Sequence, residues 1–313
     1  MVSSQYVIIS TWNMQPTDPW YALNVMQVPM KKYIESIQTK LLETPLFYGH
    51  GTDNAWDEAC WLVETLMRRA GIADFTEETQ VSSKVQKAVD ELLQRRINER
   101  LPLAYLLKEA WFAGLSFYVD ERVLVPRSPF AELIASGFEG LLKTPPKRIL
   151  DLCTGSGCIG IACAMAFPDA EVELADLSPE ALEVARINIE RYELQERVTV
   201  VQSDLLERLE GRYDLIVSNP PYVPQAEYDE LPSEYLQEPQ MGLVSENNGL
   251  AIPLQILRES PDYLNKGGIL ILETGNSWQA LQAAVPELPL LWLDFEYGGE
   301  GICVLGDTYN LIT

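Results

Sequence analysis

From residue 148 onward, short apolar segments rich in β-branched residues alternate with segments of helical period. The pattern predicts strands at 148–152, 171–176, 198–202, 213–218 and 268–274, helices at 157–166, from Ser178 and at 249–264, and shorter elements ending at 301–305. Strands that alternate with helices are typical of a parallel sheet with helices on both faces. The sequence therefore predicts the α/β class, with a doubly wound, mostly parallel sheet.

The fourth predicted strand ends at Asn219-Pro220-Pro221-Tyr222. Two prolines cannot continue a β-ladder, so Asn219 lies at a strand's carboxyl end, where open α/β sheets bind their ligands. The Asn219 side-chain oxygen and the Pro220 carbonyl can accept hydrogen bonds, and Tyr222 offers a flat face, which together suit a planar group with an NH2. Asn219, Pro220 and Tyr222 are the catalytic candidates, and Pro221 and Arg127 join them as candidates for substrate binding.

A glycine-rich turn follows the first predicted strand as Gly155-x-Gly157-x-x-Gly160. This spacing is typical of a nucleotide-binding turn, and Asp176 follows at roughly the 20-residue separation at which a carboxylate reaches a ribose hydroxyl. The glycines alone would fit NAD as well as any other nucleoside ligand. Combined with the Asn219 loop, they indicate a nucleoside cofactor beside a bound planar amine or amide.

The candidates for cofactor binding all lie at predicted strand ends and turns. They are Asp151, Cys153, Thr154, Gly155, Ser156, Gly157, Asp176, Leu177, Asp204, Leu205 and Asn219. Two roles remain open for each of three acids: Asp151 holds an amino group of the cofactor or stiffens the turn, Asp176 binds ribose or caps a helix, and Asp204 meets an adenine amine or is structural.

The chain carries a formal net charge of −23 over 313 residues. Ten basic and thirteen acidic residues precede Leu106, and thirteen basic and thirty-three acidic residues follow it, so the second part carries −20. Such a surface repels DNA and attracts basic proteins, although acidity is also a common solubility trait. No apolar run is long enough for a membrane span. The first thirty residues contain no Lys or Arg, so a signal peptide is not expected.

Cysteine and histidine usage argues against a metal centre. The five cysteines form no C-x-x-C pair, and His50 is the chain's only histidine. No metal ligand set or disulfide scaffold is therefore predicted, and a cytoplasmic location is expected.

The sequence divides into four predicted regions. These are a loosely structured extension at 1–30, a helical substrate-recognition domain at 31–106, a β-hairpin linker at 107–128 with its turn at Asp120-Glu121, and the catalytic domain at 129–313. Residues 223–248 form a long loop with six acids and no Lys or Arg, interpreted as a lid or substrate platform. Arg127 could pair with these acids or with a substrate. Arg95, Arg96 and Arg100 are predicted to form a solvated helix face, with contact to ribosomal RNA as the alternative.

Several segments resemble the glutamine-N5 methyltransferases of translation proteins. Residues 48–54, 95–100 and 117–129 are similar to the branch that modifies the large-subunit ribosomal protein L-three, and the similarity extends over roughly 31–306. The release-factor branch typically has Pro-Arg-Pro-Glu/Asp-Thr where this chain has Pro126-Arg127-Ser128-Pro129. Cys153 and Ser156 stand where relatives often have Gly or Thr.

The resemblance implies a reaction and its participants. The cofactor would be S-adenosylmethionine, with S-adenosylhomocysteine as product, and the substrate a glutamine of a basic ribosomal protein, with ribosome assembly as one setting. Neither DNA nor a membrane would be a partner. The alternatives are a release-factor methyltransferase, an adenine-N6 methyltransferase of nucleic acid, a NAD-dependent oxidoreductase and a non-catalytic ribosome-assembly module.

Overall fold

The computed structural model describes residues 27–296 and 298–306. Most of the predicted extension at 1–30 lies outside the described residues. Two compact units emerge from the contacts: the first contains the described residues up to Pro45 together with Asn54–Arg95, and the second contains Leu46–Asp53 and the chain from Arg96 onward. The region boundaries predicted at 106 and 128 stay predictions.

The first unit is built from helices whose apolar residues recur at helical spacing. Its elements are β1 (Val28–Pro29), α1 (Met30–Leu42), α2 (Ala55–Arg69), β2 (Gln80–Val81) and α3 (Ser83–Glu99), the last turn of α3 belonging to the second unit. Helices dominate this region, as its sequence predicts. Asn54 caps α2 by accepting a hydrogen bond from Asp57 N at 2.9 Å. The buried residues Ile37, Val63 and Val89 come from three different helices.

The second unit begins with a short helix and a hairpin whose turn differs from the predicted one. These elements are α4 (Leu103–Leu107), β3 (Ala110–Phe112) and β4 (Leu115–Phe117). The hairpin turn lies at Ala113-Gly114, both with positive φ, and not at Asp120-Glu121 as predicted. The chain does turn after Asp120, where Val123 N donates to the Asp120 carbonyl at 3.1 Å, but among the described residues no strands pair across this turn. Asp120 is buried, because its carboxylate accepts hydrogen bonds from Arg122 and from the Tyr118 hydroxyl.

Within the described residues, the main sheet has seven strands in the order β10–β11–β9–β8–β5–β6–β7. The strands are β5 (Arg148–Leu152), β6 (Glu171–Asp176), β7 (Val198–Gln202), β8 (Tyr213–Ser218), β9 (Leu264–Glu273), β10 (Leu291–Trp292) and β11 (Ile302–Gly306). β5 to β9 pair in parallel, and among the strands of this sheet only β11, which pairs antiparallel with both β9 and β10, runs in the opposite direction. The predicted mostly parallel α/β sheet is confirmed.

The strand order reverses between β5 and β8. From β5 the chain adds β6 and β7 on one side, then crosses to place β8 on the other side. A crevice opens at such a switch point, outside the carboxyl ends of the two strands. The glycine-rich turn follows β5 and Asn219 follows β8, so topology brings both predicted motifs to this crevice.

Apolar side chains cover both faces of the sheet, as expected for buried parallel strands. The helices of the second unit are α5 (Phe130–Ala135), α6 (Cys158–Ala166), α7 (Pro179–Arg191), α8 (Gln225–Tyr228), α9 (Ala251–Glu259) and α10 (Trp278–Ala284). Ile149 and Val217 belong to the core on the α6 face, whereas Leu150 and Ile216 belong to the core that contains Leu257 of α9. This alternation fixes the register of the strand ends that form the crevice.

Two further expectations need correction. The segment 223–248, predicted as a structureless loop, contains α8 and two 3-10 turns at Tyr235–Gln237 and Gln240–Gly242. The helix predicted at 249–264 ends earlier, at Glu259, and continues as a 3-10 turn before β9 begins at Leu264. Among the helices of the described chain, none is long and apolar enough to cross a bilayer.

Candidate active site

The carboxyl ends of the central strands enclose one cavity of the second unit. Most of the predicted site residues line it: Cys153, Thr154, Gly155, Ser156, Asp176, Leu177, Asp204, Leu205, Asn219, Pro220, Pro221, Tyr222 and Arg127. Asp151 and Gly157 are the two predicted residues that are not part of the lining. Glu273, Ser128 and Met241, which the sequence reasoning did not single out, line the same cavity.

Gly155 and Gly160 of the turn have different roles. Gly155 has φ +55° and no atom within 4 Å of the place where a Cβ would stand, so its backbone is open to a ligand. A Cβ on Gly160 would instead lie 2.2 Å from Leu174 Cδ2 and 2.8 Å from Asp151 Cβ. Gly160 is therefore required for the close packing of α6 against β5 and β6, while Gly155 faces the cavity.

Asp151 supports the turn from beneath. Its Oδ2 accepts hydrogen bonds from Thr154 Oγ1 at 2.6 Å and from Gly160 N at 2.8 Å, while Oδ1 is buried without a partner among the described residues. Burial raises the pKa of this carboxyl to about 7, although both hydrogen bonds oppose the rise. Of the two predicted roles, these contacts correspond to stiffening the turn.

Asp176 ties the turn to the next helix. Its two oxygens accept hydrogen bonds from Gly155 N and from Ser178 N, each at 2.9 Å, and Ser178 itself caps α7. Burial raises the pKa of Asp176, with the backbone hydrogen bonds opposing the rise. A carboxylate has about four acceptor positions, so capacity remains for a hydroxyl group in the cavity.

Leu177, Asp204 and Leu205 complete this side of the cavity. Leu177 is 50% exposed and lines the cavity, so it offers an apolar surface to a ligand there. Asp204 is exposed and follows β7, and Leu205 beside it is buried with φ +46°. An acid next to apolar side chains suits a flat heterocycle that bears an amine.

The Asn219 loop forms the opposite wall. Asn219 is half-buried, and among the described residues no hydrogen bond to its side chain is formed, so the amide oxygen can serve a ligand. Tyr222 is held on several sides: its hydroxyl donates to Glu273 Oε1 at 3.3 Å, its carbonyl accepts from Ser277 Oγ at 2.9 Å, and a Cβ on Gly275 would lie 2.7 Å from its ring. The ring therefore has little freedom to turn.

Arg127 pairs with an acid of the 223–248 segment. Its Nη1 and Nη2 donate to Glu238 Oε1 and Oε2, both at 2.7 Å, and its guanidinium lies 5.2 Å from the centre of the Tyr235 ring. Val125 N also donates to Glu238 at 2.9 Å, and His50 Nε2 lies 3.3 Å from Oε2. Burial alone would raise the pKa of Glu238, but Arg127 and His50 lower it to about 2.

A second acid of the same segment is buried as well. Glu234 accepts hydrogen bonds from Phe47 N at 3.0 Å, Arg96 Nη1 at 3.1 Å and Arg100 Nη1 at 3.4 Å. Burial alone would raise the pKa of Glu234, but these donors outweigh it and the pKa is lowered. Arg96 is only 2% exposed, so its prediction as part of a solvated face is wrong.

Sequence reasoning missed Glu234, Glu238 and Glu273 as individual residues. One signal was present for the first two: they are acids four positions apart in a segment that contains no Lys or Arg. Their partners are more than a hundred residues away in the chain, so the pairing itself has no local signature. We name the segment 223–248 the lid, after the role predicted for it from the sequence, and the pairs of Glu234 with Arg96 and Glu238 with Arg127 the lid anchors.

The chain resembles known proteins over most of its length. The model of the methyltransferase small domain family matches residues 134–246. The chain is 41% identical over 288 residues to the ribosomal protein uL3 glutamine methyltransferase of Francisella tularensis, with 90% of each chain covered. It is 45% identical over 266 residues to the protein of the same name from Neisseria gonorrhoeae, with 84% of this chain and 89% of that one covered.

A solved structure shares the fold. The catalytic domain of hMettl16 in complex with MAT2A 3'UTR hairpin 6 superposes with a TM-score of 0.51 at 16% identity, covering 74% of this chain and 86% of that one. This likeness extends to the fold, whereas the two curated relatives match in sequence along nearly the whole chain. The chain belongs to the family of ribosomal protein uL3 glutamine methyltransferases.

Proposed function

We propose that this chain transfers the methyl group of S-adenosylmethionine to the side-chain amide nitrogen (N5) of a glutamine in ribosomal protein uL3. The observation that carries the proposal is the Asn219 loop, which shares one cavity with the glycine-rich turn and Asp176. The names of the two curated relatives, which specify uL3 and glutamine, support the choice of substrate.

The residues around the glycine-rich turn fit S-adenosylmethionine. The open backbone at Gly155 would receive the methionine part, and Asp176 would accept hydrogen bonds from the ribose hydroxyls. Leu177 and Leu205 would cover the adenine faces, with Asp204 near its amine. When bound, S-adenosylmethionine supplies an electrophilic methyl group and leaves as S-adenosylhomocysteine.

An amide nitrogen is a poor nucleophile because its lone pair is delocalised into the carbonyl group. Hydrogen bonds from the substrate NH2 to Asn219 Oδ1 and to the Pro220 carbonyl would increase electron density on that nitrogen and fix its direction. Tyr222, held by Glu273 and Ser277, would set the plane of the amide. Orientation and electrostatics would then supply most of the rate enhancement.

The last step needs no dedicated base. An amide that has gained a methyl group on nitrogen is cationic and strongly acidic, so its proton passes to water once transfer is complete. The residues of the loop would then release a neutral N-methyl amide, because one of the two hydrogen-bond donors has been replaced by a methyl group.

The charge of the chain fits a basic substrate. Ribosomal proteins are basic because they bind RNA, and thirty-three acids against thirteen basic residues follow Leu106 in this chain. Such a difference in charge accelerates encounter and disfavours a nucleic-acid backbone. We place the reaction in the cytoplasm, where ribosomal proteins are made.

Transfer of labelled methyl from S-adenosylmethionine tests the proposal. The acceptors are unmethylated uL3 alone, unmethylated large ribosomal subunits, a peptide release factor and duplex DNA. Label recovered as N5-methylglutamine in uL3 is the expected result, and comparing free uL3 with assembled subunits shows when the protein is modified. Label in the release factor alone would refute the substrate, and label in DNA alone would refute the amide chemistry.

A further inference from the structure

Glu273 is a buried acid that the proposed reaction has not yet used directly. It is the last residue of β9, it is 5% exposed, and it lines the same cavity as Asn219 and Tyr222. Its Oε2 accepts a hydrogen bond from the Ser128 hydroxyl, and its Oε1 accepts one from the Tyr222 hydroxyl at 3.3 Å. Phe130 N in turn donates to Ser128 Oγ at 3.1 Å, which fixes the serine.

A carboxylate in this position is costly. Removing an ionised group from water is unfavourable unless charges or hydrogen bonds compensate it, and apolar residues of similar volume usually serve a core better. Glu273 has two hydroxyl donors, and no Lys or Arg of the described chain lies within ion-pair distance of it. A purely structural explanation is therefore weak for this residue.

Among the catalytic candidates, Glu273 forms a hydrogen bond with Tyr222. The Tyr222 ring is bounded by Gly275, where a Cβ would come within 2.7 Å of it, and the Tyr222 backbone is held by Ser277. Those contacts limit the position of the ring but do not engage its hydroxyl. Glu273 is the group that does, so it fixes where the hydroxyl end of the ring lies, and because a phenol O–H prefers the plane of its ring, the direction of this hydrogen bond also favours one orientation of that plane.

We propose that Glu273 is a positioning residue of the amide site: its carboxylate, oriented by Ser128, holds the Tyr222 hydroxyl and thereby sets the plane on which the substrate amide is aligned. This inference rests on the proposed function, because it assigns Glu273 a part in the same reaction. It acts through Tyr222 and not by contact with the reacting nitrogen.

The positioning role implies a dependence on pH. Burial raises the pKa of Glu273 to about 7, with Ser128, Tyr222 and the charge of Arg127 opposing the rise. Tyr222 and Arg127 are the titratable and charged groups that face it, and the Arg127 charge is shared with Glu238. Ionised Glu273 accepts from both hydroxyls, whereas the protonated acid must donate one hydrogen itself. The turnover number should therefore fall as pH decreases through about 7.

The test uses the full-length enzyme, uL3 and saturating S-adenosylmethionine. Glu273→Ala should lower kcat about 10- to 100-fold, because a misplaced substrate loses its alignment, while the cofactor Kd stays within threefold. Tyr222→Phe should lower kcat as well, and adding Glu273→Ala to it should produce no further loss. Glu273→Gln carries a fixed donor, as the protonated acid does, so its kcat at pH 8 should already be reduced to the level that the wild type reaches below pH 7, and its profile should show no further decline there.

A matched control lies at the amino end of β8, the strand that leads to Asn219 and Tyr222. The Tyr213 hydroxyl donates to Glu173 Oε2 at 2.7 Å, which is another tyrosine–glutamate hydrogen bond, and Tyr213 is the first residue of β8. Tyr213→Phe should lower the melting temperature while leaving kcat and its pH profile unchanged. The control separates loss of a partly buried tyrosine–glutamate hydrogen bond from loss of alignment.

The outcomes separate this inference from the proposed function. Failure of the wild-type enzyme to methylate uL3 would refute the proposed function. Normal wild-type transfer combined with unchanged kcat in Glu273→Ala, or additive losses with Tyr222→Phe, would overturn the role of Glu273 alone. If Glu273→Ala does not fold, the pH profile of Glu273→Gln decides: a decline like that of the wild type contradicts the inference.

Discussion

Replacing Glu238 by glutamine tests the lid anchors. Glu238 is fully buried and accepts two hydrogen bonds from Arg127 at 2.7 Å and one from Val125 N at 2.9 Å. Glutamine has the same shape but no charge, and one of its two terminal atoms can no longer accept. Glu238→Gln therefore reproduces the protonated state of the acid within an otherwise unchanged structure.

The magnitude follows from the pKa of Glu238. The carboxyl has an ordinary pKa of 4.5, and in the folded chain it is lowered to about 2. Because one pKa unit corresponds to about 1.4 kcal/mol, the ionised form contributes roughly 3 kcal/mol to the free energy of unfolding. A lowered pKa stabilises the fold above pH 4.5, and this contribution is lost as pH falls from 4.5 toward 2.

Urea unfolding followed by circular dichroism measures the difference. At pH 7 the variant should unfold with a free energy roughly 3 kcal/mol smaller than that of the wild type, and at pH 3.5 the difference should shrink to about 2 kcal/mol, because the unfolded wild type then takes up a proton. Glu230→Gln is the matched control: it removes an exposed acid of the same lid and should change stability by less than about 0.5 kcal/mol. Equal stability of Glu238→Gln and wild type at pH 7 would refute the reasoning, as would a difference that does not decrease at low pH.

Three further predictions concern the cofactor site, the turn and the second anchor. Asp176→Ala should raise the cofactor Kd roughly 10- to 100-fold by calorimetry, since a charged acceptor for two hydroxyls is lost, and an unchanged Kd would contradict the assignment. Gly160→Ala should lower the free energy of unfolding by about 1–3 kcal/mol, because the new Cβ meets Leu174 at 2.2 Å, and wild-type stability in thermal unfolding would show that the packing relaxes. Arg96→Met should cost about 1–3 kcal/mol in the same assay, because buried Glu234 then keeps only Phe47 N and Arg100 as donors, and a neutral effect would show that the anchor is not rigid.

The fold could be predicted where the signal is local. The four strands from Arg148 to Ser218 were predicted with their observed bounds, because buried parallel strands are continuous apolar runs that end at turn residues. Asn219 and the glycine-rich turn follow two of these strands. The rule that open α/β sheets bind ligands where the strand order reverses is therefore enough to predict that both motifs lie at one crevice.

Other features have no local signal. Asp120-Glu121 has the composition of a turn and the chain does turn there, yet Asp120 is buried with Arg122 and Tyr118 bound to it, and the hairpin turn at Ala113-Gly114 uses positive φ at an alanine. The lid anchors join residues 138 and 111 positions apart, and no spacing in the sequence encodes such pairs. For this reason the sequence alone does not indicate that Arg96 is buried.

The turnover of Asn219→Ala on uL3 tests the central claim most directly. Single-turnover methyl transfer and the S-adenosylmethionine Kd are measured on the same preparation, with the modified residue identified by mass spectrometry. Loss of the amide acceptor should lower the rate of N5-methylglutamine formation by at least about 100-fold while leaving the cofactor Kd within threefold. A variant that methylates uL3 glutamine at a near-wild-type rate would contradict the role of Asn219 in orienting the substrate amide.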